Sequence, residues 1–181
     1  HYQGVSAIHE GARLIHWATE QNEFNRSATP SPLAAMFDPP YTTWHVGRVS
    51  GGTADNITAK DCHFNMFYRA VPGDEPAKLD QMYSDKVSEV KFAMQGIRPE
   101  SDIVLKRRFA VPPLKPEEAG ESESLVRAIT GDNANHVVSY GTEAGQFQAA
   151  GYSAVVCGPG DIAQAHQPNE FIEVAQFKAG Q

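Results

Sequence analysis

Two long amphipathic periodicities, one near the start of the chain and one from residue 74 to 96, constrain the fold more than anything else in the sequence. In the first, Val5, Ile8, Ala12, Ile15 and Ala18 recur at three- and four-residue steps, which predicts a core-facing helix over residues 4–21. In the second, Leu79, Met82, Tyr83, Val87, Val90 and Met94 do the same, with Gly96 as the expected stop. Between them lie two β-type runs, 44–50 and 62–71, the first closed by Gly51 and Gly52 and the second by Pro72 and Gly73. Two helices need a sheet face to bury their stripes, so this half reads as an α+β two-layer sandwich with an antiparallel sheet.

The intervening segments fit that frame. Residues 22–43 are rich in Asn, Ser and Pro and read as a loop with one short helical turn around Leu33 to Phe37. Residues 102–111 read as a third strand ended by Pro112 and Pro113. Three strands with two helices leave the sheet one strand short of the paired βαββαβ arrangement, so a further strand is expected before His1.

After the proline-bearing, acidic residues 112–124 the character changes. A short helix is expected over 124–131, and the small apolar run 153–157, bounded by Gly151 and Gly158, reads as a short buried strand of an α/β sheet. The division is therefore into residues 1–109 and 110–181. The chain opens His1, Tyr2, Gln3, Gly4 with neither an initiator methionine nor a signal peptide, and reads as a piece of a longer polypeptide.

Composition narrows the partners. A net charge of −7, with Lys and Arg scattered among acids, disfavours nucleic acid and leaves a small molecule as the expected ligand. No apolar run approaches the roughly 18 residues that span a bilayer, so no membrane association is expected. The two cysteines, Cys62 and Cys157, lie far apart and suggest neither a disulfide framework nor a thiolate metal site, which fits reduced thiols in a cytoplasmic protein.

Four positions can carry chemistry. His166 follows Gly158, Pro159 and Gly160 and can bind a metal as a neutral imidazole, or be a surface histidine in a polar loop. Glu143, between Thr142 and Ala144, can face a cationic substrate or simply begin a helix. Asn56, in the loop after Gly52, can donate to a developing oxyanion or stabilise its own turn. Arg69, at a strand end, can clamp a carboxylate or stand solvated. His9, His16, His45, His63 and His136 have no partner spacing and read as structural or surface residues. Neither a Gly-x-Ser-x-Gly elbow nor a nucleotide-binding glycine pattern is present.

Four motifs taken together resemble the M20 family of dinuclear zinc amidohydrolases. They are Gly51, Gly52, Thr53, Ala54, Asn56 and Ile57; Arg69, Pro72 and Gly73; Tyr140, Gly141, Thr142, Glu143 and Ala144; and Cys157, Gly158, Pro159, Gly160, Ile162, Ala165, His166, Pro168 and Glu170. The resemblance implies a lid and dimerisation domain over residues 1–109, followed by the C-terminal piece of a zinc-binding catalytic domain. It implies His166 as a ligand of one zinc ion, Asn56 and Arg69 as substrate-facing lid residues, and Gly141, Thr142 and Glu143 as a substrate-side loop.

The implied reaction is hydrolysis of N2-acetylornithine to ornithine and acetate, a step of arginine biosynthesis. It would use two zinc ions, for which cobalt can substitute, in a homodimer formed through the lid. Another M20 deacylase, a dipeptidase, or a non-catalytic dimerisation or ligand-binding module are the alternatives. The family's N-terminal catalytic half, with most of its ligands and its Glu-Glu pair, has no counterpart here, nor has the first lid strand with its histidine. Ala59 stands where the family often has proline. One histidine does not make a catalytic zinc site, which needs about three protein ligands, so the chain by itself is expected to be inactive.

Overall fold

The computed structural model describes residues 4–165 and 167–180, and divides them into two compact units. The first runs to Ala110 and includes Val137–Tyr140; the second comprises Val111–His136 and the chain from Gly141 on.

In the first unit, helix α1 (Ala7–Ser27) and helix α2 (Pro76–Ile97) pack with an antiparallel hairpin of β1 (Thr43–Gly51) and β2 (Cys62–Arg69), an α+β fold. The register runs from Thr43 opposite Arg69 to Val46 opposite Met66. It resumes at Val49 opposite Phe64, so β1 carries one extra residue in a bulge at Gly47 and Arg48. Along β2 the even residues Phe64, Met66 and Tyr68 turn inward, and His63, Asn65, Phe67 and Arg69 turn out. A two-stranded ribbon is marginal in water, and the helices supply what it lacks.

Their contact is a core in two adjoining clusters. Leu14, Val87, Val90 and Met94 form one, with Val5, Phe64, Tyr83 and Ile103 against it. Trp17, Ala18, Trp44 and Leu79 form the other, with Met66, Tyr68 and Ala70. Tyr83 borders both, and burial pushes its phenol up to about 12. Trp17 meets Trp44 edge-on at 4.9 Å, a favoured aromatic geometry.

Several expectations are corrected. The buried face of α1 is Gly11, Leu14, Trp17 and Ala18, rotated from the expected stripe: Ala12 and Ile8 are exposed. Gly11 faces Cys62, whose Sγ lies 2.7 Å from where a Cβ would stand, so the helix approaches β2 closely at a residue without a side chain. α1 also runs on through residues expected to be loop. Asn22 donates to the Trp44 carbonyl at 2.8 Å and accepts from the Trp44 N–H at 2.7 Å, and Asn25 donates to the Thr42 carbonyl at 2.7 Å. Tertiary bonds thus hold helical two residues that favour turns. Gly96 is not the stop of α2, which continues to Ile97. It ends because Arg98 precedes Pro99 and is extended, at φ −136° and ψ 100°. The short turn is present at Ala34–Met36.

Neither 102–111 nor 153–157 is a strand. Both lack a backbone ladder, since among the described residues only β1 and β2 pair.

The second unit holds α3 (Glu121–Thr130), α4 (Ala144–Ala149) and α5 (Val174–Ala179). α3 ends on Gly131 at φ 72°, the left-handed C-cap that glycine adopts freely. This unit closes no apolar core among its described residues: Leu125, Ile129, Phe147, Phe171 and Phe177 all stay exposed. No helix of the described residues is long and apolar enough to cross a membrane.

Candidate functional site

The hairpin positions two of the predicted residues. The chain leaves β1 through Gly52, at φ 77°, and a turn closed by the Ile57 N–H on the Ala54 carbonyl carries Asp55 and Asn56 at its tip. The base of this loop is tied to α1 by the Ala7 N–H on the Ala59 carbonyl, and Ala59 is buried. The Asn56 amide is exposed and makes no hydrogen bond among the described residues.

Arg69 ends β2 opposite Thr43, exposed and without an ion pair among the described residues. The turn beyond it is fixed by a residue that the motif reading missed. Thr42, 1% exposed, donates its hydroxyl to Asp74 at 2.5 Å and accepts from the Val71 N–H at 3.1 Å, locking the Pro72 and Gly73 turn. The partners are separated by about thirty residues, so no local pattern announces the clamp.

Asn56 and Arg69 are not brought together. Asn56 lies in the loop before Cys62, the first residue of β2, and Arg69 is its last; eight residues of strand span roughly 24 Å at about 3.4 Å per residue.

The second unit builds the other candidate. Thr142 accepts the Ala144 N–H on its hydroxyl at 3.2 Å, and Glu143 is the N-cap residue of α4, its carbonyl receiving Gln146 and Phe147. The Glu143 carboxylate is exposed and unengaged among the described residues. Gly141 is exposed beside Val111.

α4 is held against residues 112–117 with little tolerance. A Cβ on buried Gly145 would stand 2.0 Å from the Pro112 carbonyl oxygen. Gln148 pairs with the Lys115 backbone as a strand would, accepting its N–H and donating to its carbonyl, both at 2.9 Å. Glu117 receives the Ser153 hydroxyl at 2.6 Å and Gln148 at 2.9 Å, and these bonds hold its carboxyl below the ordinary carboxylate range. This network was also missed; it joins residues that are individually ordinary polar types.

His166 lies outside the described residues, so its predicted ligand role has no geometry here. Among the described residues no three His, Cys, Asp or Glu side chains gather to hold a metal ion. They do not fit a zinc site by themselves.

Comparison with known proteins supplies what geometry alone does not. The profile of the M20 peptidase dimerisation domain matches residues 1–94. An acetylornithine deacetylase of Myxococcus xanthus is 35% identical over 173 residues, covering 94% of this chain and 43% of that protein. Namesakes in Erwinia tasmaniensis and Proteus mirabilis are each 32% identical, covering 97% and 96% of this chain and 44% and 42% of their own length. The chain therefore spans less than half the length of these relatives.

Proposed function

The chain belongs to the M20 peptidase family through its dimerisation domain, and from this we propose that a protein carrying it hydrolyses the acetyl group of N2-acetylornithine. The observation that carries the reading is that the likeness to acetylornithine deacetylases extends over 94% of the chain, beyond the dimerisation domain and through the second unit.

In this proposal the first unit is a lid and homodimer contact. Asn56 steadies developing negative charge on the substrate carbonyl, Arg69 holds a carboxylate bidentately, and Glu143 faces the ornithine ammonium. Because Asn56 and Arg69 occupy opposite ends of one hairpin, a homodimer in which the two ends serve different sites reconciles their roles. Zinc belongs to the proposal as well, with His166 as one ligand and the remaining ligands coming from residues outside this chain. The unclosed apolar surface of the second unit supports its being part of a larger catalytic domain.

Glu143 gives the test. If its carboxylate reads the ammonium, Glu143→Gln in a protein of the relatives' full length raises KM for N2-acetylornithine roughly tenfold, the loss of about 1.4 kcal/mol. KM for an N-acetylated amino acid with a neutral side chain should stay put. An equal effect on both substrates removes the assignment.

A further inference from the structure

A bidentate grip on a carboxylate needs the planar guanidinium presented one way round. Arg69 is exposed and has no ion pair among the described residues to orient it. Where the side chain meets no such constraint, its direction is set by the backbone from which it springs.

That backbone is fastened from two sides. Opposite Arg69 in the hairpin stands Thr43, and both neighbours of Thr43 are bonded to α1. Asn25 donates to the Thr42 carbonyl at 2.7 Å, and Asn22 holds the Trp44 N–H and carbonyl at 2.7 and 2.8 Å. Beyond Arg69 the ladder stops, and the Thr42 side chain takes over. Val71 and Asp74 are the ends of a turn closed by the Asp74 N–H on the Val71 carbonyl at 3.2 Å, with Gly73 at φ 108°. Proline second and glycine third, the latter at positive φ, is the pattern of a type II turn. The Thr42 hydroxyl accepts from the Val71 N–H at 3.1 Å and donates to the Asp74 carboxylate at 2.5 Å, so one side chain bonds both ends of the turn. Its single proton and a lone pair are both engaged, on a residue only 1% exposed. The end of α1, the start of β1 and the turn after β2 are thus joined at Thr42.

We propose that Thr42 is a positioning residue for the substrate carboxylate: it sets the backbone direction at Arg69 and so where the guanidinium is presented. This rests on the reading of Arg69 as the residue that holds that carboxylate. Being buried, Thr42 acts through Arg69 and not on the substrate itself. A carboxylate held equally in the ground state and the transition state contributes to KM and not to kcat. A threonine that served only the fold would, when replaced, lower the amount of active protein and leave KM where it was.

The experiment measures KM and kcat for N2-acetylornithine in a protein of the relatives' full length. Thr42→Val keeps the shape and removes both bonds, and should raise KM roughly fivefold, the factor that corresponds to one net hydrogen bond, with kcat little changed. Thr42→Ser, which keeps the hydroxyl, should bring KM back. In an Arg69→Ala background, Thr42→Val should add nothing, because the group it positions is gone. Asp74→Ala removes one of the two bonds from an exposed residue. It should raise KM in the same direction, and decides the matter if Thr42→Val does not fold. Unchanged KM, a fall in kcat at unchanged KM, or an equal rise with and without the Arg69 guanidinium would overturn the proposal and leave the deacetylase reading standing. Arg69→Ala with unaltered KM would instead remove the role of Arg69, and this proposal with it. No turnover by the unsubstituted protein would remove the function on which both rest.

Discussion

Replacing Asn22 by alanine tests how the end of α1 is fastened to the sheet. The carboxamide satisfies both backbone groups of Trp44, at 2.8 and 2.7 Å, on a residue only 3% exposed. Each bond is worth about 1 kcal/mol where water can replace it, and about 1–3 kcal/mol where a buried group is left bare. Asn22 itself is half-buried, so the expected loss for Asn22→Ala lies between these limits, at about 2–4 kcal/mol. Asn22→Asp keeps the acceptor but sets a carboxylate against the Trp44 carbonyl. It should be no better than alanine at pH 8, and should recover by about 1 kcal/mol near pH 4 as the acid gains a proton to donate. Asn25→Ala, which loses a single bond to Thr42, should cost about 1 kcal/mol. Urea unfolding monitored by tryptophan fluorescence reads all three, since Trp17 and Trp44 pack edge-on in the core. A loss below about 0.5 kcal/mol for Asn22→Ala, the range of an ordinary surface change, would refute the argument.

Two more outcomes come from the packing. Gly145→Ala places a methyl into the Pro112 carbonyl and should cost about 1–3 kcal/mol locally. Amides of α4 should then exchange several-fold faster, and unchanged exchange would show that α4 does not rest on residues 112–117. At high pH, Tyr83, pushed up to about 12 by burial, keeps its proton in the folded chain after an unfolded tyrosine has lost it near 10. The folded state then binds more protons, so the Tyr83 contribution is present in full below pH 10 and is lost as pH rises toward 12. Urea midpoints at pH 8 and 11 measure the fall, and Tyr83→Phe should flatten it.

The helices were legible because three- and four-residue apolar steps survive in any tertiary setting. The rotation of the α1 face was not, because it depends on Gly11 meeting Cys62, a contact between segments fifty residues apart. β1 and β2 were legible as a hairpin since each supplies the other's ladder. Residues 102–111 carry the same composition, but a strand is a property of a pair, and the described chain provides no neighbour. For the candidate site, the motifs placed Asn56 and Arg69 on the hairpin correctly as segments. Their separation along β2 emerged only with the register. The Thr42 clamp on Asp74 and the bonds of Glu117 to Ser153 were invisible because hydrogen bonds between distant polar residues leave no periodicity.

On the function proposed above, this chain holds substrate-facing loops of an M20 deacetylase whose metal ligands come largely from residues outside it. Acetate release from N2-acetylornithine, measured side by side for the 181-residue chain and for a protein of the relatives' full length containing it, both supplied with zinc, tests this directly. Turnover by the longer protein and none by the chain is the expected result. Hydrolysis by the chain alone, or a zinc-loaded longer protein inert toward every N-acylated amino acid, would contradict it.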